Sequence, residues 1–499
     1  MEANLDQDVC GYGEGKPAVN RIADDEKALV STEQSDVVPP QAPRAARDLS
    51  EADGLPVSQR RWVMLCILLG VVLASLDSAI ANIALPTIAR ELSASDAATI
   101  WVVNGYQLAA AVCLLPAASL GEIAGHKRVY AIGLIVFTIA SLGCAMSPNL
   151  GVLVAARLAQ GAGGACLSAL GPALIRGIYP RRILGSGFAM IALAVAISGA
   201  LGPTIAALIL SVATWPWLFL VNLPLCLVAV PLFLAVAPAS SRSGHGFDLP
   251  GALLNAAALG LVVIGVDALG SSPTGIAVAE IVAGVACAVL LVWQQMRRTS
   301  PLLPLDLLRI PVFTLSLGTS VCSYSAQILA YVSVPFMLQT VMHRSPVATG
   351  LLVTPWPLLV AFAAPIAGRL SARYPASVLG SVGLAVLASG LLLLALLPAA
   401  PPDWDIAWRM GICGVGFGFF QTPNNLTVMT AGPVQRTGAA GGMLAVARTI
   451  GWSLGSALVA LIFAVWHVGA TAICLETAAG FAAFAAFISS LRFFSRRPA

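Results

Sequence analysis

Asp77 and Arg157 are the residues best placed for chemistry inside this chain. Asp77 lies in the stretch Leu76-Asp-Ser-Ala-Ile-Ala-Asn-Ile-Ala-Leu-Pro-Thr87, which closes an apolar segment beginning near Trp62. An ionised Asp at the centre of a bilayer costs about 2.5–3.5 kcal/mol on insertion scales, so such a group belongs in a bundle interior, on an ion or substrate path. Arg157 lies in another apolar segment, with Gln160 one turn on. It is a cation that cannot discharge and needs a partner or water. We expect Arg157 to sense the charge of Asp77, directly or through water and Gln160. A nearby cation favours an ionised carboxylate, while burial favours the neutral acid. A movement that changes both would load a proton on one side of a membrane and release it on the other. The alternative is an Asp near a helix end, permanently paired with an Arg.

The elements that hold these residues are apolar. Of 499 residues, 58% are hydrophobic and 10% charged, against about 25% charged in soluble domains. The chain therefore reads as an all-α, polytopic membrane protein. Its net charge of +4 comes from arginines near segment ends and implies no nucleic-acid partner. The ten cysteines are scattered, with no Cys-x-x-Cys and no Cys/His cluster, so no metal, cofactor or disulfide framework is expected. The N-terminus lacks the basic start and apolar core of a signal peptide. Residues 1–60 hold twelve of the 23 acidic residues and are expected to form a disordered cytoplasmic tail.

A membrane helix needs about 20 mainly apolar residues. Fourteen segments qualify: 62–84, 99–120, 128–147, 151–178, 183–212, 217–237, 249–270, 275–295, 312–340, 347–370, 376–398, 406–430, 438–465 and 470–491. With the N-terminus inside, seventeen Lys and Arg residues fall in cytoplasmic turns and flanks. Only Arg90, Arg344 and Arg409 fall on the other side. This positive-inside bias runs the length of the chain and places both termini in the cytoplasm.

The sequence also repeats at an offset of 250 residues. Ala118-Ser-Leu-Gly-Glu-Ile-Ala-Gly125 matches Gly368-Arg-Leu-Ser-Ala-Arg-Tyr-Pro375, and Ser95-Asp-Ala-Ala-Thr99 matches Ser345-Pro-Val-Ala-Thr349. A repeat eight segments apart implies two six-helix halves (61–237 and 311–499) flanking two extra central helices (238–310). Halves related in this way place substrate at their interface, near the membrane midplane.

The turn Ala118 to Arg128 resembles the signature turn of the major facilitator superfamily, Gly-x-Leu-x-Asp-Arg-x-Gly-Arg-Lys. Leu120, Gly125 and Lys127 match it, while Glu122 stands for the Asp and Ile123 for the first Arg. The resemblance implies a conformational switch in which the acid at this turn ties the halves together in one state. Leu76-Asp77 through Pro86 looks like the first-span motif of the fourteen-span drug:proton antiporters. Arg157-Leu-Ala-Gln-Gly-Ala-Gly163 resembles the fourth-span motif, whose Arg is linked to proton transfer. Ser198-Gly-Ala-Leu-Gly202-Pro203 resembles the antiporter motif of the fifth span, with Ala206 and Ala207 where glycines are usual. Trp215-Pro-Trp-Leu-Phe-Leu-Val-Asn222-Leu-Pro224 and Phe247-Asp-Leu-Pro-Gly251 resemble the junctions around span six. Phe420-Gln-Thr-Pro-Asn424-Asn425 looks like the branch that exports methyl viologen and quaternary ammonium biocides. Independently of the family, Pro203 removes a backbone donor within a segment, and the small residues around it allow close helix approach.

In the second half Arg448 is the lone charge well inside a segment, with no acid at its depth. Asp267, Glu280 and Glu476 fall near outer ends, within reach of water. Asn104, Gln107, Gln327, Trp356, Gln421, Asn424 and Arg448 are candidates for a substrate cavity, although an Asn or Gln can equally bond a neighbouring helix. The expected function is proton-coupled export of lipophilic cations from the cytoplasm by a monomer in the inner membrane, with small molecules, protons and the lipid bilayer as partners and no nucleic acid. With one midspan acid, neutral exchange of a monocation against one proton is the simplest cycle. A metabolite, amino-acid or siderophore exporter on the same scaffold is the alternative, and a passive facilitator a further one. An ATP-driven pump is excluded, because there is no Gly-x-x-x-x-Gly-Lys-[Ser/Thr]. Gly451-Trp-Ser453-Leu-Gly455 has the spacing of a hydrolase elbow but lies within an apolar segment, where it reads as helix packing.

Overall fold

The computed structural model describes residues 54–180, 183–238, 246–269, 274–297, 306–371, 373–398, 400–432, 437–466 and 468–495. The tail up to residue 53, and Arg181, Arg182, Arg242, Arg298, Arg436, Arg496 and Arg497, lie outside them. Among the described residues fourteen long helices follow one another. They are α1 Val57–Glu91, α2 Asp96–Ala124, α3 His126–Ala145, α4 Leu150–Ile178, α5 Leu184–Val212, α6 Trp217–Val236, α7 Leu249–Ala268, α8 Thr274–Gln295, α9 Pro311–Val341, α10 Pro346–Leu370, α11 Ala376–Ala395, α12 Asp403–Thr430, α13 Thr437–Val465 and α14 Ala470–Ser495. Among the described residues thirteen are long and apolar enough to cross a membrane. The exception is α12, which opens with Asp403, Asp405 and Arg409 and carries Gln421, Asn424 and Asn425. Its 28 residues still span about 42 Å, and it packs between α10 and α11 within the bundle.

The helix bounds follow the sequence closely, with one clear difference. The first helix runs from Val57 to Glu91, longer at both ends than 62–84, because Pro86 sits inside it without ending it. Its start also lies before residue 61, where the sequence placed the end of the tail.

The first six helices pack on one another, and so do α9 to α14. The repeat is visible in local geometry. Ser93 and His343 both adopt left-handed backbone, with φ of 50° and 51°. Ser95 and Ser345 then cap the helices that follow, accepting from the Ala98 and Ala348 amides at 3.2 and 3.1 Å. Helices α7 and α8 form a hairpin on close approaches at Gly265 and Gly284. That hairpin lies against α2 and α13.

Among the described residues, the hydrogen bonds that join the two bundles share one end of the molecule. Gln339 Nε2 of α9 donates to the Ile83 carbonyl of α1 at 2.9 Å. Thr204 of α5 meets Thr354 of α10 at 2.8 Å. Beside that pair, a side chain at Gly350 would run into the Pro203 carbonyl. This is the end that carries Arg90, Arg344 and Arg409. Toward the other end, Gly199 of α5 has nothing within 4 Å of its Cβ position. Phe188, Leu193 and Ile197 are exposed there.

Candidate functional site

The first bundle closes around Asp77. Close approach of α4 to its neighbours comes from glycine. A side chain at Gly161 would strike the Tyr106 carbonyl of α2, one at Gly164 the Tyr106 hydroxyl, and one at Gly163 the α3 backbone at Gly133 and Phe137. These contacts bring Arg157 and Gln160, three apart on one helix face, against α1. Arg157 Nη1 lies 2.5 Å from Asp77 Oδ2. The other carboxylate oxygen, Oδ1, accepts from Gln160 Nε2 and from Asn222 Nδ2 of α6, both at 2.8 Å. Arg157 is itself held in place. Its Nε donates to the Val102 carbonyl at 2.9 Å and its Nη1 to Gln160 Oε1 at 2.6 Å. Its guanidinium lies over the Tyr106 ring, 4.4 Å from the centroid. Gln160 Nε2 also donates to Ser141 of α3 at 2.8 Å.

Asp77 and Arg157 are 2% and 1% exposed. A pair this deep holds only if its remaining polar groups are satisfied, and removing one partner typically costs about 3–5 kcal/mol. Here the Asp77 carboxyl group takes three donors, from Arg157, Gln160 and Asn222. One acceptor nearby stays open, because Asn222 Oδ1 is buried without a hydrogen-bond partner. An amide with one end on the carboxylate and the other free can present either a donor or an acceptor to Asp77, as its protonation requires.

The turn around Gly125 lies at the far end of α2 from Val102, whose carbonyl holds Arg157, whereas the α5 motif packs beside Asp77. Gly125 joins α2 to α3 at φ 97°, a conformation that favours glycine. Lys127 Nζ donates to the Ala237 carbonyl at 2.5 Å, and Glu122 is exposed. Gly202 faces Ala79 of α1, two residues from Asp77, and Pro203 lies against Gly350 of the other bundle. The Gly202-Pro203 step thus touches both the buried pair's helix and the opposite half.

The remaining candidates separate into groups. Gln107 donates to Ser78 at 3.4 Å. Asn104 is 1% exposed, with both amide atoms unpartnered. In the second bundle Gln327, Gln421 and Arg448 do come together. Trp452 Nε1 donates to Gln327 Oε1 and Gln421 Nε2 to Tyr324 Oη, both at 3.1 Å. Arg448 lies over the Trp452 ring at 5.3 Å. Trp356 is fully buried and meets Tyr331, which bonds Gln327, with ring centroids 5.0 Å apart. Asn424 stands apart, bonded to Ser320 and to Arg492 Nη1 at 2.8 Å each. Arg492, one residue past the 470–491 segment and so counted from the sequence among the seventeen basic residues of the cytoplasmic turns and flanks, is instead drawn into the bundle. It is 2% exposed and bonds Ser316 and Ser489 inside the bundle. Near the outer ends, Asp267 accepts from Trp101 at 3.1 Å, and Glu280 keeps one buried oxygen without a partner. Gly451 and Gly455 both pack on α9, at Val321 and Ser325, which matches the packing reading of that pattern.

Asn222, Ser141 and Tyr106 were not singled out from the sequence. Asn222 carried a usable signal, since it is a lone amide at the start of an apolar helix within the quoted junction motif. Ser141 carried none, because a single serine in a membrane helix is ordinary.

Two six-helix bundles joined at one end, the first of them holding a buried charge pair, with two further helices beside them, define a multi-pass membrane transporter. Residues 67–456 match the model of the Major Facilitator Superfamily, and the chain belongs to that family. It is 50% identical over 446 residues to the transporter YebQ of Escherichia coli (strain K12), covering 89% of this chain and 97% of that one. It is 30% identical over 411 residues to the riboflavin transporter RibZ of Clostridioides difficile (strain 630), covering 81% and 89%. It is 33% identical over 407 residues to the multidrug resistance protein Stp of Mycobacterium tuberculosis, covering 80% and 75%. A bacterial homologue of the human lysosomal transporter Spinster, solved inward-facing and unoccupied, superposes with a TM-score of 0.64 at 15% identity. That match covers 89% of this chain and all of the other.

Proposed function

We propose that this protein is a proton-coupled exporter of small organic molecules, with Asp77 as its proton carrier. The observation that carries this reading is the cage around Asp77, an acid sealed at 2% exposure by donors from α4 and α6. In the state described, the carboxyl group is held by three side-chain donors and is closed off from water. In the cycle, the α1–α9 and α5–α10 contacts at the joined end open, and an accompanying movement of α1 against α4 within the first bundle parts Asp77 from Arg157 and exposes it to a proton. The positive-inside pattern puts the joined end outside and both termini in the cytoplasm. The state described is then inward-facing, which agrees with the exposed Glu122. Residues 61–237, 238–310 and 311–499 serve as first bundle, linker helices and second bundle.

For the cargo, the name of Stp supports multidrug export, including the lipophilic cations that the sequence motifs suggest. One observation favours a different cargo: among the described residues, the midspan charge without an ion pair is Arg448, a cation. The coupling is tested in proteoliposomes with an imposed pH gradient, using riboflavin and ethidium as probes. Transport that stops when the gradient is collapsed, and that fails in Asp77→Asn, is the expected result. Gradient-independent transport by Asp77→Asn equal to wild type would overturn it.

A further inference from the structure

Arg448, Gly451, Trp452 and Gly455 form one stripe of α13 at helical spacing. The two glycines press that stripe against α9. Ile450, on the opposite side, lines an apolar groove with Leu259, Val262 and Val289 of the hairpin helices. Arg448 and Trp452 therefore face into the bundle and away from that hairpin. There Trp452 meets Tyr324 edge-on at 5.7 Å and gives its indole N–H to Gln327. Tyr324 takes the Gln421 amide N–H.

The charge of this cluster is uncompensated. Arg448 makes no ion pair among the described residues, and its Nε is buried without a hydrogen-bond partner. The guanidinium is neither sealed nor fully solvated, as the residue is only half-buried. An unpaired buried donor on a cation is expensive and marks a place where an acceptor is missing. The Asp77 and Arg157 charges cancel each other, whereas Arg448 has no ion pair among the described residues. Trp452 and Tyr324 offer ring faces and edges beside it.

We infer that the Arg448–Trp452–Tyr324 cluster is the substrate subsite and that the preferred substrate is an aromatic carboxylate. The carboxylate meets the Arg448 fork, which matches it bidentately, and the ring system lies against Trp452. This rests on the export reading above and gives it a substrate class. A quaternary ammonium compound would instead meet an unpaired cation, which disfavours it.

Binding to the purified full-length protein in detergent, which needs no proton gradient, tests the inference apart from the coupling. The probes are 7-hydroxycoumarin-3-carboxylate, its neutral carboxamide and ethidium, followed by fluorescence anisotropy. Wild type is expected to bind the carboxylate at least tenfold more tightly than the carboxamide or ethidium. Arg448→Gln is expected to erase the carboxylate preference while holding carboxamide affinity within twofold. Arg448→Lys is expected to keep part of the preference. Size-exclusion and melting profiles identify folded variants, and Asp77→Asn is expected to keep the preference even where transport is lost. Tighter binding of ethidium, no carboxylate binding by wild type, or an unchanged preference in Arg448→Gln would overturn the inference.

Discussion

Asp77 of α1 and Gln327 of α9 stand 250 residues apart, at matching points of the two repeats. Each accepts hydrogen bonds from its own bundle, Asp77 from Arg157, Gln160 and Asn222 and Gln327 from Trp452. Only the first can ionise. Its cation is likewise unmatched, because the α12 glycine equivalent to Gly161 is Gly414, which aligns Arg157 with the buried Met410. The repeat has kept its packing and divided its chemistry. Charge compensation lies in one bundle, and an unpaired Arg448 beside aromatic rings lies in the other.

Breaking the buried pair on one side should be worse than removing it. Arg157→Gln leaves the carboxylate buried without its cation, and a loss of about 3–5 kcal/mol is expected. Asp77→Asn/Arg157→Gln removes both charges and should recover most of that loss, while remaining inactive in proton-driven transport. Denaturant unfolding in detergent, compared across wild type, both single variants and the double variant, gives the coupling energy. Equal instability of the Arg157→Gln single and the double variant would contradict the account.

The joined end can be locked. Thr204 and Thr354 have hydroxyl oxygens 2.8 Å apart across the two bundles. Thr204→Cys/Thr354→Cys should therefore form a disulfide on mild oxidation. Transport should stop when the bond forms and return on reduction, because the cycle requires this end to open. Either single cysteine should transport normally under the same oxidant. Full transport by the cross-linked protein would show that α5 and α10 do not separate during turnover.

Most of the architecture was legible because lipid imposes it. A bilayer demands long apolar helices, and the basic turns then fix the count, so even α12 was found despite its polar start. Asp77 and Arg157 were legible for the same reason, being charges where charge is costly. What the sequence could not show was which donors converge. Asn222 meets Asp77 from a helix 145 residues away, and Ser141 reaches the same point through Gln160. Arg492 misled in the opposite direction. Near the end of an apolar segment an arginine reads as an interfacial anchor, yet Ser316, Asn424 and Ser489 draw it inside. Position along a helix gives depth, but the partners depend on helix rotation and packing.

Asn222 is expected to act on the proton step and not only on stability. Its Nδ2 supports the ionised carboxylate, and its free Oδ1 is available to a protonated one. Asn222→Leu removes both roles, and a hydrogen bond to a charged group is typically worth about 1.5–3 kcal/mol. Initial transport rates measured over a range of pH should change in the shape of the curve as well as in height. A variant that loses folded protein but keeps the wild-type curve shape, once normalised to folded protein, would reduce Asn222 to a packing residue.

The sign of the cargo can be read electrically. A monocation leaving against one entering proton moves no net charge, so a membrane potential neither drives nor opposes it. A monoanion leaving against one proton carries two positive charges inward, each worth about 2.3 kcal/mol per 100 mV. With Arg448 as the subsite, export of the coumarin carboxylate from proteoliposomes holding an inside-negative potassium diffusion potential should speed up at zero pH gradient. Ethidium export, where it occurs at all, should be unaffected by the potential. In Arg448→Gln the potential-driven carboxylate flux should fall, whereas Asp77→Asn should lose proton entry and with it the coupled flux of either cargo. Carboxylate movement indifferent to the potential in wild type would mean that the anion does not leave against a proton, and the pairing of Asp77 with an Arg448 subsite in one cycle would fail.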